Sequence, residues 1–181
     1  EKKWISKLWN YGKFVLLSNL SSNIFRSTDH LMVASLVSLP AVAFYSLCNR
    51  IVNLLDIPST AIGDVIFPKS VQLYNEKGIK GIKEIYEKAV GYTLSFMIPI
   101  SLIIYFLSDF IVLLIGGEEY LGASNILKVS TFYIIFLPFM KQFGTVINAI
   151  GKPKLNFNLI VILAIVNLLS NYILITYIGL L

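Results

Sequence analysis

The chain has 181 residues, of which 56% are hydrophobic and 14% are charged, with a net charge of +5 and a mean hydropathy of +0.76. Ordinary soluble domains carry about 25% charged residues, so these figures disfavour disorder, a collagen, a disulfide scaffold and a nucleic-acid-binding module. One cysteine, Cys48, and one histidine, His30, exclude an internal disulfide and a cysteine- or histidine-built metal site. The composition favours an integral membrane protein.

Five segments are long and apolar enough to be membrane-spanning helices, each needing about 20 mostly apolar residues. In chain order they are residues 14–39, 41–69, 82–107, 123–150 and 155–178. The fifth carries no charge, and the third also lacks the polar face that a helix of a soluble protein would need. We therefore predict an all-α polytopic transmembrane bundle that forms a single domain.

The connections are short and contain turn residues. Pro40 follows the first helix, a polar turn ends near Gly78, a Gly-Gly-Glu-Glu sequence precedes Tyr120, and Gly151 stands before Pro153 as a helix stop. Ser108 and Asp109 predict the cap of a short surface helix at residues 110–115.

Lysine asymmetry predicts the topology. Three regions contain 11 of the 15 basic residues: Lys2, Lys3, Lys7 and Lys13; Lys69, Lys77, Lys80, Lys83 and Lys88; and Lys152 and Lys154. Because cytoplasmic loops are rich in lysine and arginine, the N-terminus is expected in the cytoplasm, and Glu118, Glu119 and Leu181 outside. The chain begins with Glu1 and has no signal-peptide pattern, so an internal fragment of a longer protein is expected.

Polar residues recur at helical spacing inside the apolar spans. The second helix carries Ser46, Asn49, Arg50, Asn53, Asp56, Thr60 and Asp64 on one face, the first carries Asn19, Asn23, Arg26, Asp29 and His30, and the fourth carries Lys141, Thr145 and Asn148. Such side chains either hydrogen-bond between helices as structural contacts or border a water-filled cavity. For lone asparagines we favour the structural role, and for the charged set we favour a cavity.

The residues expected to line this cavity are Arg26, Asp29, Asn49, Arg50, Asn53, Asp56 and Lys141. Lys141 is a few turns from the predicted cytoplasmic end, so it could alternatively extend to the membrane surface. No metal ligand set and no cofactor motif is found, and neither a P-loop nor a zinc-protease or serine-hydrolase motif is present, so an enzyme is not expected.

Several short sequences, in order, carry a family resemblance. They are Ser27-Thr28-Asp29, residues 41–45, Asn49-Arg50-Ile51, Phe67-Pro68, residues 115–120, Asn125-Ile126-Leu127 and residues 148–153. Their order and spacing, from about Lys13 onward, resemble the polysaccharide (O-antigen, Wzx-type) flippases of the multidrug/oligosaccharidyl-lipid/polysaccharide exporter superfamily.

This resemblance implies two lobes with twelve to fourteen helices in total, of which this chain would be five helices of one six-helix, MATE-like lobe. The basic leader and the Asp29-to-Arg50 pattern look more like the second lobe, and the sixth helix is absent. The implied function is alternating-access translocation of a polyprenyl-diphosphate-linked oligosaccharide across the bacterial inner membrane. Arg50 and Arg26 would contact the sugar or the diphosphate.

By the same resemblance, the expected partners are the lipid-linked oligosaccharide, membrane lipids and the polysaccharide polymerase machinery, without nucleic acid. Two other functions stay open. A cation-coupled multidrug exporter of the same superfamily would use an acidic cavity around Asp29, Asp56 and Asp64. A non-transporting membrane scaffold would have fully paired, dry polar stripes.

Helix geometry also predicts an ion pair between Asp29 and Arg50. Each lies about ten residues from the turn between Leu39 and Pro40, which is roughly 15 Å at 1.5 Å per residue. Adjacent antiparallel helices are about 8–10 Å apart, a gap that the two side chains can bridge. Since an unpaired charge at this depth is costly, we expect the two residues to pair.

Overall fold

A computed structural model describes the backbone of residues 2–177 and, within that range, all side chains except those of Lys2, Lys3, Lys7, Arg26 and Ile175. The described residues form six α-helices and one 3-10 turn, Glu118–Tyr120, with no strand. The helices are α1 Lys2–Leu36, α2 Leu39–Leu55, α3 Ile57–Lys77, α4 Ile79–Gly116, α5 Ala123–Ala149 and α6 Pro153–Tyr177. The prediction of an all-α protein is confirmed.

Four helical segments of the described chain are long and apolar enough to cross a membrane. They are Leu39–Lys77, which comprises α2 and α3, together with Ile79–Gly116, Ala123–Ala149 and Pro153–Leu174. The fifth predicted span lies in α1, which is long enough but too polar to meet the same criterion. Its membrane insertion therefore depends on its polar residues facing protein or water.

Three helix boundaries differ from the sequence-based expectations. The predicted surface helix at 110–115 is wrong, because α4 continues without a break to Gly116. The helix predicted at 41–69 divides at Asp56 and then continues to Lys77, where Gly78 turns the chain with a φ of 62°. At their C-terminal ends, α3 and α4 both continue beyond the predicted spans.

The chain consists of two compact units. The first contains α1 and α6 with their flanking residues, up to Ala41 and from Ile147. The Phe14 and Phe157 ring centroids are 6.1 Å apart, and, 15 residues further along α1, Asp29 contacts Asn171. Both chain positions increase together, so α1 and α6 run parallel, as two helices with an odd number of crossings between them must.

The second unit, residues 42–146, contains α2 to α5. Its core joins α2, α4 and α5 through Leu47, Cys48, Ile51, Ile104, Val112, Ala123 and Leu127. The buried stripe of α4 includes the small side chains Ala89, Thr93, Ser101 and Ser108, which let membrane helices approach closely. The α2–α3 segment runs parallel to α5, because Cys48 contacts Ala123 and, further along both, Val52 packs with Ile134.

Large apolar side chains are exposed along the spans. Leu114 on α4, Phe136 on α5, and Ile165 and Leu169 on α6 are all more than half exposed. An aqueous surface does not tolerate apolar residues in this density, whereas lipid or further protein helices would cover them.

Candidate functional site

The break between α2 and α3 is the first structural feature of the site. Asp56 stands between the helices, and Pro58 occupies the first turn of α3. Proline has no N–H, and its ring clashes with the carbonyl four residues earlier. Pro58 therefore removes the hydrogen bond that the Leu54 carbonyl would accept in a continuous helix. The chain still continues in a helical path, with the Asp56 N–H donating to Val52 O at 3.0 Å and the Thr60 N–H to Asp56 O at 3.0 Å.

This break brings Asp56 to Lys141 on α5. Lys141 Nζ lies 2.5 Å from Asp56 Oδ2 and 2.5 Å from Thr60 Oγ1, so it donates to a carboxylate and a hydroxyl at once. The side chains are 16% exposed for Asp56 and 30% exposed for Lys141. Pairing lowers the free-energy cost of holding both charges inside an apolar span.

Gln142, the next residue of α5, extends this polar contact. It is fully buried, and its Nε2 donates to the Ser59 carbonyl at 2.9 Å. We call Asp56, Ser59, Thr60, Lys141 and Gln142 the α3–α5 polar cluster. It joins residues that are 81 to 85 positions apart in the sequence.

Two acceptors of this cluster lack donors. Asp56 Oδ1 and Gln142 Oε1 are buried, and neither accepts a hydrogen bond from the described part of the chain. A buried acceptor without a donor costs about 1–3 kcal/mol, so each is a place for a water molecule or a ligand donor.

Close approach of the two helices depends on Gly63. A Cβ at this position would lie 3.3 Å from Thr145 Oγ1 and 3.6 Å from Gln142 Oε1. A side chain there would therefore press on the residues that carry the cluster.

A second polar contact joins the helices of the first unit. Asn171 Nδ2 donates to Asp29 Oδ1 at 3.0 Å and to Asn167 Oδ1 at 2.7 Å. Asp29, half-buried, is thus bound to α6. An amide–carboxylate contact of this kind fixes two helices of the first unit in register.

The remaining predicted cavity residues are distributed on α1 and α2. Arg50 and Asn53 are exposed and Asn49 is half-buried, and Arg50 has no ion pair within the second unit. The Arg26 side chain lies outside the described residues. The Asp29–Arg50 ion pair stays a prediction, because Asp29 belongs to the first unit and Arg50 to the second.

The chemistry available to these sites is charge and hydrogen bonding. Within residues 2–177, no group of three histidine, cysteine or carboxylate side chains is arranged to hold a metal ion. The expectation that Lys141 could extend to the membrane surface is wrong, since it binds Asp56 and Thr60. Sequence reasoning missed Gln142 and Ser59, for which the one available signal was an amide beside Lys141 in an apolar helix.

A family model matches most of the chain. The MatE model aligns with residues 15–173. No solved structure matches the chain.

Three curated proteins are similar over nearly the whole chain. An uncharacterized membrane protein of Methanocaldococcus jannaschii, MJ1068, is 27% identical over 98% of this chain and 35% of its own length. A Shigella flexneri protein whose name describes an O-antigen transporter is 27% identical over 84% of this chain and 36% of its own. Agl15 of Haloferax volcanii, named as a low-salt glycan biosynthesis flippase, is 24% identical over 95% and 36%. The chain thus spans about a third of the length of these relatives.

Proposed function

The chain belongs to the MatE family of membrane transporters, within the multidrug/oligosaccharidyl-lipid/polysaccharide exporter superfamily, and on this premise we propose that it is part of a flippase for a lipid-linked oligosaccharide. Two of the relatives carry names that refer to O-antigen or glycan transport. The transported molecule would be a polyprenyl-diphosphate-linked repeat unit moving from the cytoplasmic to the outer leaflet of the cytoplasmic membrane.

The observation that carries this proposal is the set of cations inside the apolar spans. Arg50 is exposed on α2, six residues before the α2–α3 break at Asp56, and Lys141 of α5 lies beside that break. A diphosphate is the anionic group that such cations suit, and arginine can bind two of its oxygens at once. Arg26, on α1, is a third cation in the apolar part of the chain, and we assign it to the substrate as well.

The α3–α5 polar cluster supplies the complementary chemistry. Lys141 is neutralised by Asp56 until a stronger anion competes for it. The free acceptors Asp56 Oδ1 and Gln142 Oε1 suit the hydroxyl donors of a sugar. We therefore assign Arg50 and Lys141 to the diphosphate, and the two acceptors, with Asn49 and Asn53, to the sugar.

Gene deletion tests this function. Deleting the gene of the full-length protein should abolish surface polysaccharide and cause lipid-linked repeat units to accumulate, while resistance to cationic dyes stays unchanged. Lys141→Gln should fail to restore export, whereas Lys80→Gln, an exposed lysine outside the cluster, should restore it fully. Normal polysaccharide in the deletion strain would overturn the proposal.

A cation-coupled drug exporter is the second candidate. Asp56 Oδ1 is a buried carboxylate oxygen without a donor, and such an oxygen can also take a proton or a cation. Loss of dye resistance on deletion, with polysaccharide unchanged, would favour this candidate. A scaffold is less well supported, because it requires fully paired polar groups and the cluster has two acceptors without donors.

A further inference from the structure

An open cavity of about 650 Å³ lies between residues 10–14 of α1 and the start of α6, entirely within the first unit. Its lining combines aromatic and aliphatic side chains with two lysines: Tyr11, Phe14, Lys152, Lys154 and Leu155, with Asn158 beside them. We call it the α1–α6 cavity. The Tyr11 hydroxyl donates to the Asn148 carbonyl at 3.0 Å and fixes one wall.

The positive charge of this cavity is uncompensated. Lys152 and Lys154 are exposed and form no ion pair within residues 2–177, whereas Lys77, Lys83, Lys128 and Lys141 each bind a carboxylate. The sequence has no acidic residue between Lys2 and Thr28, and none after Glu119. Within the described range, the acidic residue of this unit is Asp29. It is 15 positions beyond Phe14, which places it about 22 Å along the helix from the cavity.

Aromatic residues indicate that the cavity lies at the level of the lipid headgroups. Both tryptophans of the chain, Trp4 and Trp9, are on α1 just before the cavity and are 68% and 67% exposed. Tryptophan and tyrosine concentrate at the membrane–water interface. Lys13 Nζ lies 5.2 Å from the Phe14 ring centroid, so a cation stands above an apolar ring at this level.

We propose that the α1–α6 cavity binds the headgroup of an anionic phospholipid of the cytoplasmic leaflet. Lys152 and Lys154 contact its phosphate, while Phe14, Leu155 and the side of α6 contact its acyl chains. The positive end of the 25-residue helix α6 adds to the attraction. Basic pockets beside membrane helices on the cytoplasmic side suit such headgroups. This inference concerns a resident lipid and does not depend on the proposed transport.

Native mass spectrometry of the full-length protein in detergent, titrated with phosphatidylglycerol, tests the site. The wild type should bind at least one phosphatidylglycerol more tightly than phosphatidylcholine. Lys152→Gln/Lys154→Gln should weaken that binding about 30-fold, since each lysine near a headgroup contributes roughly a five- to sixfold step. Lys152→Arg/Lys154→Arg should keep it.

The matched control is Lys80→Gln/Lys88→Gln, which removes two exposed lysines of α4 from the same predicted side of the membrane. It should bind phosphatidylglycerol as the wild type does. Equal affinity of the Lys152→Gln/Lys154→Gln variant and the control would overturn the proposal. The proposal would also be overturned if the full-length protein bound no lipid in a way that depends on these two lysines, which is the result expected if another segment closes the cavity. If the Lys152→Gln/Lys154→Gln variant bound a polyprenyl diphosphate more weakly than the wild type but bound phosphatidylglycerol equally well, the cavity would be a substrate site and the lipid proposal would be wrong.

Discussion

Lys141 is the residue whose surroundings differ most from its sequence pattern. A lysine about eight residues before the end of α5 can extend its ammonium group to the interface, yet it turns to Asp56 and Thr60 on the neighbouring helix. The pair keeps a positive charge inside the span without leaving it unpaired. The Lys141 ammonium group can then bind an anionic substrate, and this binding costs the free energy of separating Lys141 from Asp56.

A double-mutant cycle measures this contact. Asp56→Asn and Lys141→Gln should each destabilise the full-length protein by about 1.5–3 kcal/mol, the range for hydrogen bonds to charged groups. Because both remove the same interaction, the double variant should be less destabilised than the sum, with a coupling energy of about 1–3 kcal/mol. The measurement is unfolding of the purified protein in mixed detergent.

The control cycle uses Asp109 and Lys128, whose ion pair is 3.3 Å long and more exposed. Exposed ion pairs contribute little to stability, so Asp109→Asn with Lys128→Gln should couple much more weakly than Asp56→Asn with Lys141→Gln. Equal coupling in the two cycles would contradict the assignment of a special role to the Asp56–Lys141 pair.

Arg50 presents the other test at a single residue. It is exposed within an apolar span and has no ion pair within the second unit, and an unpaired charge in contact with lipid would be costly. We predict that Arg50→Ala abolishes polysaccharide export while the protein still inserts, and that Arg50→Lys restores it only in part, because lysine lacks the two-oxygen fork. The measurement is complementation of the deletion strain, with membrane content by immunoblot as control. Full export by Arg50→Ala would refute the role.

Among the elements, the α2–α3 segment carries the feature on which the cluster depends. Pro58 removes one backbone hydrogen bond, and the resulting break aims Asp56 at α5. Since the rest of the segment is continuous helix, the break is a local response to one residue type at one position.

Pro58→Ala should therefore straighten the segment and move Asp56 from Lys141. We expect export to fall about tenfold, the equivalent of 1.4 kcal/mol, while stability in detergent stays equal or rises, because a helical hydrogen bond is regained. Pro68→Ala, which changes an exposed proline of α3 outside the cluster, should leave export unchanged. An unchanged export rate in Pro58→Ala would mean that the break has no functional role.

The order of the apolar spans could be predicted from hydropathy, but the division of the second span into α2 and α3 and the ends of the helices could not. The α1 helix begins at Lys2 and α3 continues to Lys77, since helical hydrogen bonding persists in polar residues. Hydropathy reports where lipid begins, whereas backbone hydrogen bonds decide where a helix ends. This difference also explains the wrong surface helix at 110–115, where α4 is continuous.

The candidate site could be predicted in part. The charges in the spans identified Asp56 and Lys141, but not that they pair, because the pairing depends on α5 lying parallel to and beside the α2–α3 segment, 85 residues later. Gln142 gave no pattern at all, since a single amide in an apolar helix has no periodicity. Contacts between distant helices follow from tertiary packing, which composition does not encode.

At the scale of the whole molecule, the two parallel helix pairs each have an odd number of membrane crossings between their members. Since α1 runs parallel to α6, and the α2–α3 segment to α5, each pair is separated by one return across the membrane or by three. This agreement supports the predicted alternation of the loops, and the lysine asymmetry supplies its orientation.

Cysteine labelling tests that orientation. A cysteine at Glu119 should react with a membrane-impermeant thiol reagent from outside intact cells, and one at Lys80 only after the cells are opened. The native Cys48 is 2% exposed and should stay unreacted, so it serves as the internal control. Labelling of the Glu119 cysteine from the cytoplasmic side alone would reverse the topology.

The central proposal is that this chain serves in a flippase for an oligosaccharide-bearing lipid. The most direct measurement is the translocation rate of a fluorescent polyprenyl-diphosphate-linked oligosaccharide in vesicles that contain the purified full-length protein. We predict translocation well above that of protein-free vesicles, and a return to the protein-free rate with Arg50→Ala. Translocation no faster than in protein-free vesicles, with the same preparation transporting cationic dyes, would contradict the account.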